Sequence, residues 1–324
     1  MTNPVPGVHP DDPSFVYDEM AYFGENCAEF GLPDPDDVVV ERVAHVLPDG
    51  RRISALRWGV GSPEAVLVHG GAQNAHTWDT VALALRPTPL LAIDLPGHGH
   101  SSWRDDRHYD PVANARDLAQ AIGALAPDAR VIVGMSLGGL TSIALTGVSD
   151  LVRRLVLVDI TPGVNAEKAK AVHDFIAGPQ SFDGFGEIFD RTLEFNPTRT
   201  PGSLRRGILH NAHRTPDGSW EWNYDRRPLA WGADAGSGDA GSGDVADVIE
   251  LPGPALWADL AATTMPIVLA RGSLSPVVDD DDVAELRRLR PDAEVVVVDG
   301  AGHSIQGDRP LELAEIIRAQ LDAG

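Results

Sequence analysis

A serine flanked by glycines, Gly134-Met135-Ser136-Leu137-Gly138-Gly139, follows the apolar run Val131-Ile132-Val133 and opens a helix-length segment at Leu140. In a strand–turn–helix setting, Gly-x-Ser-x-Gly puts the serine on a sharp turn, and glycines two residues before and after relieve the crowding of that backbone. The serine then rests at a helix N-terminus, where partial positive charge favours a developing anion. Ser136 is therefore the candidate nucleophile. His303, in Asp299-Gly300-Ala301-Gly302-His303-Ser304 just after the last apolar run, is the candidate general base. An imidazole there can take the serine proton and return it to a leaving group. A serine with a base suits acyl transfer to water: the alkoxide adds to a carbonyl, and an acyl-enzyme forms and is hydrolysed.

These residues need a frame that brings them together. Val38 to Val46 and Ile53 to Trp58 are separated by Pro48-Asp49-Gly50, and Asp-Gly between two β-branched or alternating runs predicts a hairpin. Short runs apolar on both faces follow at 65–68, 90–93, 131–133, 155–158, 267–269 and 295–298. Such runs suit buried parallel strands, and helix-length segments such as Pro111 to Leu125 and Asp280 to Leu289 lie between them. The alternation predicts an α/β fold: a mostly parallel central sheet with helices on both faces. The core is expected over 38–162 and 265–324, preceded by an N-terminal arm at 1–37 that packs on the body or edges a dimer.

The alternation breaks over 163–264, where five of the eight Phe (175, 182, 185, 189 and 195) and four of the seven Trp (220, 222, 231 and 257) fall. An aromatic-rich insertion there predicts a helical lid that also lines the pocket, or a small second core. The duplicated tract Ala235-Gly236-Ser237-Gly238-Asp239 and Ala240-Gly241-Ser242-Gly243-Asp244 reads as a solvated loop without chemistry.

Composition narrows the partners. The 324 residues carry 26 Lys+Arg and 48 Asp+Glu, a net charge of −22, and no basic stripe for neutralising phosphates, so no nucleic-acid partner is expected. Cys27 is the single cysteine, which excludes an internal disulfide framework and a cysteine-rich metal site. No apolar run approaches the ~20 residues of a membrane span, and no basic-then-apolar leader is seen at the N-terminus. The expectation is a cytoplasmic protein without a membrane partner, acting on a small molecule, with a homodimer allowed by the arm. No dinucleotide or Walker-type glycine motif follows a strand, so no cofactor is expected.

In these motifs the sequence resembles the α/β-hydrolase fold family over about residues 38 to 324, least specifically in the insertion. Asp94-Leu95-Pro96-Gly97-His98-Gly99-His100-Ser101 is similar to the family's D-x-P/R-G-x-G-x-S loop. A metal reading of His98 and His100 is disfavoured, because Ser101-Ser102-Trp103 follow where metallohydrolases with an H-x-H loop want Asp and His. The resemblance implies that Val68-His69-Gly70-Gly71-Ala72 supplies an oxyanion donor, the backbone N–H of Gly71, beside that of Leu137. His69 precedes the glycines, which suits a prop for the loop better than a base.

The acid departs from the family's commonest pattern. Where members usually carry Asp, three residues after the glycine ending the penultimate strand, this chain has Ser275 after Gly272. Serine cannot hold the charge that stabilises an imidazolium. Asp159, after the run Leu155 to Val158, stands where some relatives, certain haloalkane dehalogenases among them, carry their carboxylate, and it is the preferred replacement. The alternative is the cluster Asp279 to Asp282, which also reads as a helix N-terminus.

Serine in the nucleophile position disfavours dehalogenase and epoxide hydrolase chemistry, which use Asp there. The first reading is a carboxylic-ester hydrolase for a small to medium, partly apolar or aromatic substrate. A rival uses the same residues for C–C cleavage of the meta-cleavage-product type, with Arg191, Arg199, Arg205 or Arg206 gripping an acid. A rival of another class is a non-catalytic receptor for a small molecule, to which the altered acid position lends weight.

Overall fold

The computed structural model describes residues 9–225 and 253–323; Trp231 and the duplicated tract at 235–244 lie outside them. In chain order the elements begin with α1 (Phe23–Phe30), β1 (Val40–Val46), β2 (Arg52–Trp58) and β3 (Ala65–Val68). A 3-10 turn (Ala75–Trp78) leads into α2 (Asp79–Ala84), followed by β4 (Leu90–Ile93), α3 (Pro111–Leu125), β5 (Val131–Met135), α4 (Leu137–Val148) and β6 (Leu155–Val158). Between β6 and the next sheet strand come α5 (Lys170–Ile176), β7 (Ser181–Phe182), α6 (Phe185–Phe195), α7 (Pro201–Asn211), β8 (Ala212–Arg214), β9 (Trp220–Trp222) and α8 (Gly253–Ala262). The chain closes with β10 (Ile267–Gly272), α9 (Asp280–Leu289), β11 (Glu294–Val298), α10 (Ile305–Asp308) and α11 (Pro310–Asp322).

The expected hairpin forms, with Val46 opposite Arg52 and Val40 opposite Trp58 around a turn whose Gly50 has φ 86°. The eight-stranded sheet runs β1-β2-β4-β3-β5-β6-β10-β11. β2 is antiparallel to β1 and to β4, and every pairing from β4 onward is parallel. Side chains of a strand alternate between faces, so both faces must be apolar when both are covered. Val66 and Val68 enter a cluster with Leu118, Ile122, Ile143 and Leu286 of α3, α4 and α9. Ala65 and Leu67 enter the opposite one, with Val81, Leu313 and Ile317 of α2 and α11 and with Phe23 and Cys27 of α1. The apolar runs of the sequence are the two-sided interior of this layer structure.

A third cluster belongs to the insertion. Phe182, Phe185, Ile188, Ile208, Trp220 and Trp222 pack together over the antiparallel sheet β7-β9-β8. Edge-to-face contacts at 5.1 Å (Phe185–Trp220) and 5.9 Å (Phe182–Trp222) order it. Helix α8 instead sends Leu256 and Leu260 into the first cluster, against α4.

A buried polar knot joins the arm, the sheet layer and the insertion. His76 Nδ1 lies 2.9 Å from Asp79 Oδ2, and its Nε2 lies 3.0 Å from Glu19 Oε1 of the arm. Glu19 also accepts from Arg42 Nε at 2.8 Å, and Arg42 Nη1 donates to Asp94 at 2.7 Å. The His210 ring of α7 stacks on His76 at 3.8 Å and 6°, and its Nδ1 lies 2.7 Å from the Tyr17 hydroxyl. Burial disfavours the His76 imidazolium, but the Asp79 and Glu19 carboxylates outweigh it and raise the ring to about 9. For His210, burial and the adjoining His76 charge act together and keep the ring neutral.

A histidine raised from 6.5 when unfolded to about 9 when folded stabilises the fold fully below pH 6.5, and that share is lost as pH rises through about 9. Denaturant unfolding at about pH 6 and about pH 9.5 should differ by on the order of 3 kcal/mol from this group, at most. His76→Gln should be destabilised at the lower pH and should lose most of the difference. A variant with the pH dependence of the wild type would assign the loss to other groups.

Candidate active site

Strands β3, β5, β6, β10 and β11 end at the same edge, around the place where β3 and β5 part to opposite sides in chain order. Ligands of open α/β sheets bind beyond such carboxyl ends. Each strand delivers one part of the site there.

Ser136 follows β5 with φ 50° and ψ −120°, a conformation that costs a non-glycine residue about 1–3 kcal/mol. Its amide donates to Val158 O at 3.3 Å. A Cβ on Gly138 would stand 2.3 Å from Val68 O and 2.4 Å from His69 O, and one on Gly134 would stand 2.6 Å from Gly138 O. The expected role of the two glycines is therefore visible: they allow backbone to touch backbone beneath the serine.

The loop after β3 lies over Ser136, since a Cβ on Gly70 would come 3.2 Å from the serine Cβ. In that loop Gly70 N–H donates to Gln73 Oε1 (3.2 Å) and Ala72 N–H to His98 Nε2 (3.1 Å). Gly71 N–H has no such partner among the described residues, and Gly71 faces Leu137 across the loop. His69 is fully buried; its Nδ1–H donates to Gly70 O (2.7 Å) and its Nε2 accepts from Leu95 N–H (2.9 Å). Burial, then the neighbouring His98, lowers it to about 3. His98 is likewise spent, with Nδ1–H on Pro96 O (3.0 Å), and burial lowers it too. Both rings are neutral props of the loop. The Asp94–Ser101 segment is thus a buttress: Asp94 Oδ1 accepts Ala75 N–H at 2.8 Å and Ser101 Oγ donates to Asp94 O at 2.6 Å.

Asp159 ends β6 with φ 51° and no exposure to solvent. Its Oδ1 accepts Gly272 N–H at 2.9 Å, and its Oδ2 accepts His303 Nδ1 at 2.8 Å and the Ser275 hydroxyl. Ser275, standing where the family's acid is usual, donates a hydrogen bond to the carboxylate at the end of the neighbouring strand, a role that its place in the chain does not mark. The other candidate acids go elsewhere. Asp279 and Asp282 form a capping box at the start of α9 and hold Lys168 at 2.9 Å and 2.7 Å, and Asp280 pairs with Arg271 at 2.6 Å.

Ser136 and His303 line one cavity of about 310 Å³, which Phe175, Ile176 and Trp222 of the insertion close from the other side. Asn211 Nδ2 donates to Ala72 O (2.7 Å) and Asn74 Nδ2 to His210 O (2.8 Å), tying the insertion to the glycine loop. No sequence pattern marks these two bonds. Of the four arginines considered for gripping an acid, Arg205 reaches Glu25 and Arg206 reaches Glu29, while Arg191 donates to the carbonyls of Asp174 and Phe175.

His76, Asp79 and His210 offer ligand atoms within 4.8 Å of one another. An imidazole binds a metal in its own ring plane at about 2.0–2.1 Å. Rings stacked 6° from parallel at 3.8 Å cannot both meet one ion, and both His76 nitrogens are already on carboxylates. As arranged, the cluster is an ion pair with a stacked neighbour rather than a metal centre. Among the described residues no helix is long and apolar enough to cross a membrane.

Comparison with known proteins extends these findings. The profile of the alpha/beta hydrolase family matches residues 65–316. Esterase Rv0045c of Mycobacterium tuberculosis is 42% identical over 96% of this chain and 98% of its own length. Its refined structure, described with transition metal inhibition, superposes with a TM-score of 0.79 over 94% of this chain and 99% of that one. The 2-(acetamidomethylene)succinate hydrolase of Mesorhizobium japonicum is 29% identical over 85% of this chain and 93% of its own length. A structure of an E-2-(acetamidomethylene)succinate hydrolase shares the fold with a TM-score of 0.73 at 23% identity, covering 88% of this chain and all (100%) of that one. The family match spans most of the chain and includes the serine turn, the glycine loop and the histidine loop, and on that ground the chain belongs to the alpha/beta hydrolase family.

Proposed function

We propose that the protein hydrolyses carboxylic esters through an acyl-enzyme, with Ser136 as nucleophile, His303 as general base and Asp159 as the acid that orients it. The observation that carries this reading is the Asp159–His303 hydrogen bond of 2.8 Å, in a site whose histidine shares its cavity with Ser136. Because Nδ1–H is committed to Asp159, Nε2 is the nitrogen left to accept the serine proton. The alkoxide adds to the ester carbonyl, and the oxyanion is received by Gly71 N–H and Leu137 N–H. His303 then protonates the departing alcohol, and a water activated by the same imidazole releases the acid. Asp159 stays ionised throughout and stabilises the imidazolium.

The name of the Mycobacterium tuberculosis esterase supports this reading, since that relative matches nearly the whole chain. A cavity near the lower end of the ligand-pocket range, with Phe175, Ile176, Leu204 and Trp222 on its wall, supports a small to medium, partly apolar or aromatic substrate. The receptor alternative drew its weight from Ser275 in the acid's usual place, and with Asp159 on His303 that argument loses its force. The single cysteine, Cys27, buried and free, supports a cytoplasmic setting.

Hydrolysis of p-nitrophenyl butyrate should vanish in Ser136→Ala while the melting temperature holds. Equal activity in both proteins would remove Ser136 from the mechanism. Asp159→Asn should lower kcat by about 10³–10⁴, the scale of a misoriented histidine, and Asp280→Asn should stay within about twofold. Small, equal losses in the two would place the acid elsewhere. Ser275→Ala removes a donor that holds the Asp159 carboxylate in place. We expect a fall of about tenfold in kcat, the scale of one charged hydrogen bond, with KM little changed. A KM that rises while kcat holds would reduce Ser275 to a packing role.

A further inference from the structure

Arg199 differs from Arg191, Arg205 and Arg206. It lines the cavity shared by Ser136 and His303, and its Nη2 donates to Ser203 Oγ at 2.7 Å and reaches Ser203 O at 3.4 Å. Among the described residues nothing else accepts from it: Nε is buried without a partner, Nη1 has none, and no carboxylate forms an ion pair with it. Asp308 and Glu29 are the carboxylates whose charge favours that of Arg199, yet neither forms an ion pair with it, and Asp308 Oδ1 is itself buried without a partner. Asp308 Oδ2 accepts from Gly302 N–H at 2.7 Å and from Thr198 Oγ1 at 2.9 Å, while Glu29 is taken by Arg206 and Thr200. The group is also fixed in place. A Cβ on Gly307 would stand 2.8 Å from Arg199 Nε and 3.0 Å from its Cζ, so the guanidinium rests against the short helix that follows His303.

A guanidinium keeps its proton in any protein environment, and its planar fork matches a carboxylate. A buried charge without a counter-ion is costly, and folded chains keep such charges paired. Arg199 is half-buried: burial works against its charge, Asp308 favours it, and Arg206 adds repulsion, with the balance against the charge. The cavity that Arg199 lines is a side from which a further counter-ion can come. At long range a net charge of −22 repels anions, so a carboxylate drawn into this site needs a local, desolvated donor.

We propose that Arg199 receives a free carboxylate of the ligand, so that the esters turned over here are half-esters of dicarboxylic acids or otherwise carry one ionised carboxyl beside the scissile ester. The apolar wall of the cavity holds the carbon chain between the two ends. This assignment deepens the ester-hydrolase reading and rests on it for the identity of the reacting group. It does not rest on it for binding.

The deciding measurement is calorimetric binding of monomethyl glutarate and dimethyl glutarate, with the succinate and adipate homologues, to Ser136→Ala protein. The paired ligands differ by one carboxylate, and no turnover intervenes. The half-ester of at least one chain length should bind about tenfold or more tighter than its diester, the scale of one charged hydrogen-bonded pair. Arg199→Gln in the same background should erase that preference, and Arg199→Lys should restore it only in part. The comparison within the Arg199 protein stands even if a substituted chain fails to fold. Diesters binding as well as half-esters at every chain length would overturn the proposal, as would a preference untouched by Arg199→Gln. Wild-type hydrolysis of monomethyl glutarate and of p-nitrophenyl butyrate, measured alongside, separates the two readings: the absence of both removes the esterase, and the half-ester preference still decides the carboxylate site.

Discussion

A carboxylate with no access to water at the end of a parallel strand must find donors for both of its oxygens, or its charge does not survive burial. Asp159 finds a different donor on each side: the backbone of Gly272 as β10 ends, the hydroxyl of Ser275 just beyond, and His303 on the loop after β11. Those donors converge only because β6, β10 and β11 are parallel neighbours ending at the same edge. The sheet order is therefore a condition for the charge, and the charge in turn engages the Nδ1 side of His303. Ser136 depends on the same edge from the other side, where Val68 and His69 leave room for no side chain at position 138.

Much of this frame was legible in the residues. Apolar runs on both faces identified the strands of the sheet within a residue or a few, because two covered faces demand two apolar faces. Ser136 and His303 were legible because each sits on a loop of constrained type at the end of such a run. The acid was not settled by the same reasoning. A carboxylate at 159 and a serine at 275 are separated by 116 positions, and nothing local says that one donates to the other. The arrangement of the insertion was hidden for a related reason. β7, β8 and β9 are two or three residues long, too short for period-two alternation to be read, and aromatic contacts hold them together.

The polar bridges between layers were the least legible of all. Asn211 to Ala72, Asn74 to the carbonyl of His210, and the stacked His76–His210 pair bring isolated residues from distant parts of the chain together. They differ in kind from the apolar interior. An apolar contact tolerates sliding, whereas a buried asparagine or imidazolium fits one register, because any other leaves a polar group unpaired. The insertion is thereby held in a definite pose over the glycine loop. Residue 72 illustrates the result: its N–H is held by His98 of the loop after β4 and its carbonyl by Asn211 of α7, so the backbone beside Gly71 is pinned from below and from above.

This division of labour explains how a common frame can serve one substrate in particular. The strand ends supply the reacting groups and are dictated by sheet geometry, which many unrelated activities share. Selectivity has to come from what the insertion adds to the cavity wall, and there the chain contributes two opposed kinds of surface. Phe175, Ile176 and Trp222 offer an apolar wall, and Arg199 offers a charge that no carboxylate of the described residues meets in an ion pair. A site that merely needed to exclude water would be better served by a leucine at 199, which carries no desolvation cost. The polar knot around His76 shows the contrast within the same molecule: there the fold surrounds a buried cation with Asp79 and Glu19, and the charge is answered from within. At Arg199 no carboxylate comes close enough for an ion pair among the described residues, and the side chain lines the cavity that Ser136 shares.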